Sequence, residues 1–208
     1  IVISVIFSGC GAKPVQVSKQ EIYPKFYKQH PTSILVLPAR NSTTAADAAD
    51  HFRATITQPL TERGYYVFPV HLVDSFFKSE NLPDAELIRN IPIKKLKEIF
   101  NADAILYVDI FNWDTDYAVI QSSVDVGMEF TLVNTNSEEI IWQTNAFGKS
   151  FVGSGGNNGI LGLIVDMIAV AINSSVDYTE LADVTNKGAV FNMPNGKYRL
   201  NKFQNDYD

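Results

Sequence analysis

The stretch from residue 104 to residue 151 constrains the fold more than any other part of the chain. It begins with a nearly unbroken apolar run, Ala104–Phe111, which is typical of a strand covered on both faces. Apolar and polar residues then alternate from Ile120 to Leu132, and a returning strand runs from Ile140 to about Phe151. The composition of Asn134–Ser137 favours a turn between these two strands. We therefore predict an antiparallel meander with one face against the core.

The segment before residue 104 shows the order of strands and helices that is typical of a parallel sheet. The apolar run Ile34–Leu37 predicts an interior strand, and Tyr65–Pro69 predicts a second one by its aromatic and β-branched content. Between them, helical spacing from Thr43 or Thr44 to Gly64 predicts a helix that Pro59 bends or breaks near Ile56. A strand, a helix and a strand with short joints favour a right-handed parallel crossover. The fold class is thus α/β, an α+β sandwich with a mixed sheet and helices packed on it.

Composition excludes several classes of protein. The chain has 17 basic and 23 acidic side chains, a formal charge of −6, which disfavours a general phosphate-binding or nucleic-acid surface. Cys10 is the single cysteine, so no intramolecular disulfide and no cysteine metal cluster can form. The three histidines fall in no metal-ligand spacing, and Asp166 interrupts the longest apolar stretch, Ile160–Ile172. We expect no metal and no spanning helix.

The first ten residues resemble the end of a secretory signal. The apolar run Ile1–Phe7 is followed by the small residues Ser8 and Gly9 and then by Cys10. No charged segment precedes the run, so we expect the printed sequence to start inside the signal. The alternative is a buried first strand with Cys10 as an inert core thiol.

The domain organisation follows from these segments. We assign residues 1–9 to a residual signal peptide and residues 10–31, polar and basic-leaning, to a lipid anchor and tether. Residues 32–188 form a single α/β domain, and residues 189–208 form an extended C-terminal tail in which Pro194-Asn195-Gly196 marks a turn.

A glycine-rich segment and an apolar stretch near the C-terminus are candidate interaction sites. Gly153–Gly159 lacks the full dinucleotide spacing and the lysine of a P-loop, which favours a hinge or lid over a phosphate site. The following residues, from Ile160 to about Val176, predict a helix with an apolar face too wide for one neighbour. A second helix, Asp177–Lys187, is expected to end at Gly188. The candidate interaction residues are Gly153, Gly155, Gly156, Gly159, Leu163, Met167 and Val170.

Residues with catalytic potential do not combine into an active site. Asp109 is a carboxylate inside an apolar strand, and we predict that it is held by hydrogen bonds. Asp114 and Asp116 lie near an expected turn, where solvated aspartates are ordinary. No Gly-x-Ser-x-Gly elbow is present. We therefore expect no catalytic residues, no cofactor and no enzymatic activity.

Several segments together resemble known envelope proteins. Ile34–Pro38, Ala102–Tyr107 and the hairpin Val133–Trp142 resemble the curli-secretion lipoprotein family and the N-terminal domain of the Tol–Pal protein TolB; in that hairpin, relatives usually carry glycine where Ser137 or Glu138 stands here. Thr61–Pro69 adds a likeness to a family of bacterial lipoproteins that includes genome-derived neisserial vaccine antigens. The likeness covers most of residues 32–176.

The resemblance implies a location and a role. Phe7-Ser8-Gly9-Cys10 resembles a lipobox, which implies cleavage before Cys10 and attachment of a diacylglycerol and an N-acyl chain to it; Gly11 favours the outer membrane. The family suggests a TolB-like, lipid-anchored domain, expected in the periplasm, that serves as an adaptor or assembly component of an envelope transport or secretion system. Its partners would be other envelope lipoproteins or a second copy. The alternative is a small-ligand or nucleotide-binding module that uses the Gly153–Gly159 loop.

Overall fold

In a computed structural model, the described residues are 18–82, 84–117, 121–153, 167–170 and 178–199. The helices are α1 (Lys19–Ile22), α2 (Pro24–Gln29), α3 (Ala48–Thr55), α4 (Thr57–Glu62), α5 (Val70–Ser79), α6 (Ala85–Arg89), α7 (Ile93–Phe100) and α8 (Tyr178–Phe191). The strands are β1 (Ser33–Val36), β2 (Arg40–Asn41), β3 (Tyr66–Val67), β4 (Ala104–Tyr117), β5 (Gln121–Asn134), β6 (Ile140–Gly153) and β7 (Met167–Val170). Within these residues, every helix is too short or too polar to cross a bilayer.

The strands form one mixed sheet in the order β3-β1-β4-β5-β6-β7, with β2 also paired to β4. Strands β3, β1 and β4 run parallel, which is the predicted crossover. Strands β4, β5 and β6 are antiparallel neighbours, which is the predicted meander. The fold class predicted from the sequence is confirmed.

Helices cover both faces of the sheet. On one face, α3, α4 and α8 enclose a large core whose bulkiest buried side chains include Phe52, Phe130 and Trp142. On the other face, α5, α6 and α7 cover a smaller core around Leu35 and Ile105. The apolar runs in β1 and β4 are explained by this double coverage, since their alternate side chains enter different cores.

The helical segment before β3 is interrupted where the sequence predicts. Helix α3 ends at Thr55 and α4 begins at Thr57, with Ile56 between them. Pro59 is the third residue of α4, where the absence of an N–H costs no intrahelical hydrogen bond. The buried Ile56 and Leu60 keep both short helices on the same core.

Helix α8 continues past its predicted end at Gly188 to Phe191. Ala189 and Val190, which the sequence assigned to the tail, are buried in the larger core and extend the helix by one turn. Burial of these two side chains outweighs the weak stop signal of a single glycine.

The helix predicted from Ile160 to Val176 is wrong for Met167–Val170, which form β7 and pair in parallel with β6. The other residues of that segment lie outside the described ones. Ile168, Ala169 and Val170 form a short apolar run, and periodicity alone does not separate a buried strand from a buried helix. These residues form a strand because they pair with the edge of β6.

The N-terminal part of the domain begins earlier than residue 32. Ser18 caps α1 through its side chain and Glu21 completes a capping box. In α2, Phe26 is fully buried and makes an edge contact with Tyr65, with ring centroids 6.2–6.3 Å from its two aromatic neighbours. The sequence predicts a tether here because its few apolar residues do not repeat at the spacing of a helix or a strand.

Candidate functional site

The predicted interaction residues lie in strands β6 and β7 or outside the described residues. Gly153 is the last residue of β6, while Met167 and Val170 are the first and last residues of β7. In register, Met167 lies beside Phe147 and Val170 beside Ser150. The remaining predicted positions lie outside the described residues, and they are Cys10, Gly155, Gly156, Gly159 and Leu163.

A solvent-accessible surface lies on the distal half of β4, β5 and β6, on the side that α5–α7 cover nearer the start of β4. We call it the open sheet face and define it by Phe111, Gly127, Glu129, Asn145 and Phe147. Phe111 is 45% exposed, Asn145 is exposed, and Glu129 and Phe147 are half-buried. Large aromatic rings open to solvent beside polar groups are typical of recognition surfaces.

A β-bulge lies beside the aromatic part of the open sheet face. The register between β4 and β5 shifts between Ile110 and Asn112, so Phe111 is the extra residue, and Trp113 returns to the larger core after it. Phe111 meets Phe147 edge-to-face with ring centroids 5.6 Å apart and planes at 71°. The two rings thereby bridge the outer strands across β5.

Gly127 on β5 leaves the space that the Phe111 ring occupies. A Cβ at this position would come within 2.5 Å of Phe111 Cε2, far inside van der Waals contact. The glycine in the middle of an otherwise alternating strand therefore has a specific structural reason. The sequence prediction did not include Phe111 or Gly127 among the site residues, although an isolated glycine in a strand is a signal for close approach.

Polar pairs flank the aromatic rings. Gln143 donates a hydrogen bond from Nε2 to Glu129 Oε1 at 2.5 Å. Lys149 Nζ donates to Asp125 Oδ2 at 3.0 Å, and both side chains are about one third exposed. Exposed pairs of this kind contribute little stability, about 0–1 kcal/mol, but they give the aromatic surface a polar rim.

Asp109 borders the open sheet face and confirms the prediction of a hydrogen-bonded carboxylate. Arg40 donates from Nε to Asp109 Oδ1 at 2.5 Å, and Arg89 donates to Oδ1 at 3.0 Å and to Oδ2 at 2.6 Å. The neighbouring carboxylate of Asp109 raises the pKa of Arg40. Arg89 also lies 5.2 Å from the centre of the Tyr107 ring. With both oxygens engaged by guanidinium groups, Asp109 fixes β2 and α6 to the sheet.

The other aromatic and acidic candidates differ in how far their side chains are buried. Tyr65, Trp113 and Trp142 are core residues, whereas Tyr66 is exposed. Asp114 is exposed and lies opposite Asp125 in the sheet register. Within the described residues, no group of three or more histidine, cysteine, aspartate or glutamate side chains is placed to hold a metal ion. The arrangement around Phe111 therefore offers aromatic and polar contacts.

Comparison with known proteins places this chain among bacterial lipoproteins. A family described as "Putative lipoprotein GNA1162-like" matches residues 22–196. A protein of Neisseria meningitidis serogroup B with the name "Putative lipoprotein NMB1124/NMB1162" is 29% identical over 180 residues, which cover 86% of this chain and 82% of that protein.

Two solved structures are also similar to this chain. The crystal structure of lipoprotein GNA1162 from Neisseria meningitidis is 32% identical with a TM-score of 0.57, and the match covers 62% of this chain and 88% of that one. A PelC dodecamer from Paraburkholderia phytofirmans is 12% identical with a TM-score of 0.48, covering 78% and 88% of the two chains. The family model spans most of the chain and confirms the resemblance seen in the sequence. The chain belongs to the GNA1162-like lipoprotein family.

Proposed function

We propose that the protein is anchored by lipid on Cys10 in the bacterial outer membrane, with its domain in the periplasm. Membership of a lipoprotein family supports an anchor, and Ser8-Gly9-Cys10 supplies the small residues that precede the acylated cysteine. After cleavage, Cys10 would carry a diacylglycerol on sulfur and an acyl chain on its amine. At about 0.8 kcal/mol per buried CH₂, two or more chains hold a protein on a membrane stably.

Labelling with radioactive palmitate tests the anchor. The full-length precursor incorporates label in a bacterial host, and Cys10→Ala does not. Ser8→Ala serves as the matched control, because alanine is also small and should leave processing intact. Equal labelling of the precursor and Cys10→Ala contradicts the anchor.

We propose that the domain itself is a non-enzymatic adaptor or assembly component of an envelope transport or secretion system. The observation that carries this proposal is the open sheet face, where Phe111 is 45% exposed and contacts Phe147. Exposed aromatic anchors with a polar rim are enriched at protein interfaces. The ionisable groups beside them are engaged in pairs, since Asp109 is held by two arginines and Asp125 by Lys149.

The partner of this face is an envelope lipoprotein or a second copy of the chain. Photo-crosslinking in living cells tests this, with a benzophenone amino acid at position 111. A matched control carries the same group at Leu87, which is 50% exposed on α6. We expect a discrete crosslinked species from position 111, identified by mass spectrometry, and none from position 87. Absence of a crosslink specific to position 111 contradicts a binding role for the open sheet face.

A further inference from the structure

One end of the sheet gathers the starts of three strands and a hairpin turn. In register, Ser33 at the start of β1 lies beside Tyr66 of β3, and Ile34 lies beside Ala104 of β4. Ala104 in turn pairs with Asn134, where β5 ends and the turn to β6 begins. We call this the entry end, because the chain joins the domain here.

Both terminal segments of the described chain are tied to the entry end. Lys19 of α1 donates from Nζ to the carbonyl oxygen of Phe191 at the end of α8, at 3.3 Å. The segment after α8 then folds back, and the N–H of Tyr198 donates to the carbonyl oxygen of Gly64 at 3.0 Å. The N-terminal segment therefore leaves the domain beside its C-terminal segment.

Large apolar side chains are exposed at this end. Ile22, Tyr66, Ile140, Phe191 and Tyr198 each have about half or more of their surface in water, with Phe191 at 63% and Tyr198 at 61%. They come from separate elements, and the fold places these elements at the same end of the domain. Tyrosine and phenylalanine at such a position suit the headgroup layer of a bilayer, where one side of the ring is apolar and the other is wet.

Basic side chains accompany the exposed apolar ones. Lys25 Nζ lies 2.8 Å from Glu139 Oε1, and together with Lys28 it holds the pKa of Glu139 below its ordinary value. The exposed or half-exposed lysines at this end are Lys25, Lys28, Lys94, Lys97 and Lys197.

The opposite end of the sheet carries more carboxylates. Strand β4 runs from Ala104 at the entry end to Tyr117, and the far-end carboxylates include Asp47, Glu86, Asp109, Asp114 and Asp125, of which Glu86, Asp109 and Asp125 are paired with arginine or lysine. At the entry end, Glu138 and Glu139 lie near Lys94 and Lys25, and the lysines Lys28, Lys97 and Lys197 are additional to these two pairs. A chain with a net charge of −6 thus gathers lysines beside its tether.

The tether limits how far the entry end can lie from the anchor. Seven residues separate Cys10 from Ser18 in the sequence, and the eight steps between them span about 29 Å at most. An acylated Cys10 would therefore hold Ser18, where the described domain begins, within about 29 Å of the headgroups. Anionic lipids attract such lysines, and the attraction decays within about 10 Å.

We propose that the entry end is a membrane-contacting surface that lies on anionic lipid headgroups and orients the domain. This rests on the proposed acylation of Cys10. In this orientation Phe111 lies seven residues along β4 from Ala104, about 23 Å away from the entry end. The open sheet face then lies clear of the bilayer and faces sideways, where partners in the aqueous compartment can reach it.

Environment-sensitive fluorescence of the full-length acylated protein tests this orientation. Phe191→Cys and, separately, Tyr198→Cys are labelled with a nitrobenzoxadiazole dye, and Leu87→Cys is the matched exposed control. The proteins are reconstituted into phosphatidylcholine vesicles with and without phosphatidylglycerol. We expect dye at positions 191 and 198 to brighten, shift to the blue and be quenched by spin-labelled lipid, more strongly with phosphatidylglycerol. Dye at position 87 should behave as in water.

Charge variants give the second readout. Lys28→Gln and Lys197→Gln should each lower the ratio of membrane-embedded to water-exposed dye at position 191 about fivefold. Lys149→Gln, on the open sheet face, should leave it unchanged. Water-like dye at positions 191 and 198 in protein whose mass shows the acyl chains overturns the orientation and leaves the anchor standing. An unmodified Cys10 in that mass measurement overturns both proposals.

Discussion

Replacing Asp109 with asparagine should destabilise the domain by about 2–3 kcal/mol. The carboxylate accepts three N–H groups, one from Arg40 at 2.5 Å and two from Arg89 at 3.0 and 2.6 Å. Asparagine has nearly the same shape but keeps only one acceptor oxygen. Its amide nitrogen would bring a donor towards a donor of Arg89, and the charge that attracts both guanidinium groups would be lost.

The magnitude follows from the number of contacts and from their exposure. Each charge-assisted hydrogen bond contributes about 1.5–3 kcal/mol, so three of them set the upper limit. The side chains of Arg40 and Arg89 are 41% and 28% exposed, and water replaces part of what they lose. The side chain of Asp109 is only 12% exposed, so water cannot replace most of the hydrogen bonds that its carboxylate loses.

Urea unfolding followed by the fluorescence of the buried Trp113 and Trp142 measures the effect. For a domain of this size, about 2–3 kcal/mol lowers Tm by roughly 4–12 °C. Glu80→Gln, the same carboxylate-to-amide change at an exposed position, is the matched control and should change the free energy of unfolding by less than about 0.5 kcal/mol. A loss of that small size for Asp109→Asn refutes the assignment of the ion-pair cluster as a clamp for β2 and α6.

Three further changes probe particular contacts. Gly148→Ala should cost about 1–3 kcal/mol in urea unfolding, because its Cβ would come within 2.2 Å of Thr185 Oγ1 on α8; unchanged stability contradicts that close packing. Glu138→Gly should raise the free energy of unfolding by about 1 kcal/mol, since Glu138 has φ of 57°, and a loss in thermal unfolding would contradict the strain argument. Lys25→Ala should raise the pKa of Glu139 towards its ordinary value in an NMR titration, because the hydrogen bond from Lys25 is the main cause of the low pKa. An unchanged pKa would contradict the pairing of Lys25 with Glu139.

The sheet was predictable because each strand carries its own local pattern. The apolar run in β1 and the alternation in β5 reflect burial on two faces and on one face, respectively. The break at Ile56 was predictable because proline acts on its own neighbours. In contrast, Met167–Val170 form a strand through pairing with β6, and no local pattern in a short apolar run reports that partner.

The candidate site was less predictable, because it depends on contacts between distant residues. The sequence indicated that Asp109 is hydrogen-bonded, but it did not identify Arg40 and Arg89, which are 69 and 20 residues away. Phe111 faces the same side of the sheet as Ile105, but it lies outside the smaller core that α5–α7 cover and is exposed. An apolar run of residues does not report where the covering helices end.

The modification state of Cys10 is the direct test of the account. The protein should be isolated from the membranes of its native host and its N-terminal peptide analysed by mass spectrometry. We expect a mature chain that begins at Cys10 and carries a diacylglycerol on sulfur and an acyl group on the amine. A free thiol at position 10 on an uncleaved chain would contradict the lipid anchor and the membrane orientation that depends on it.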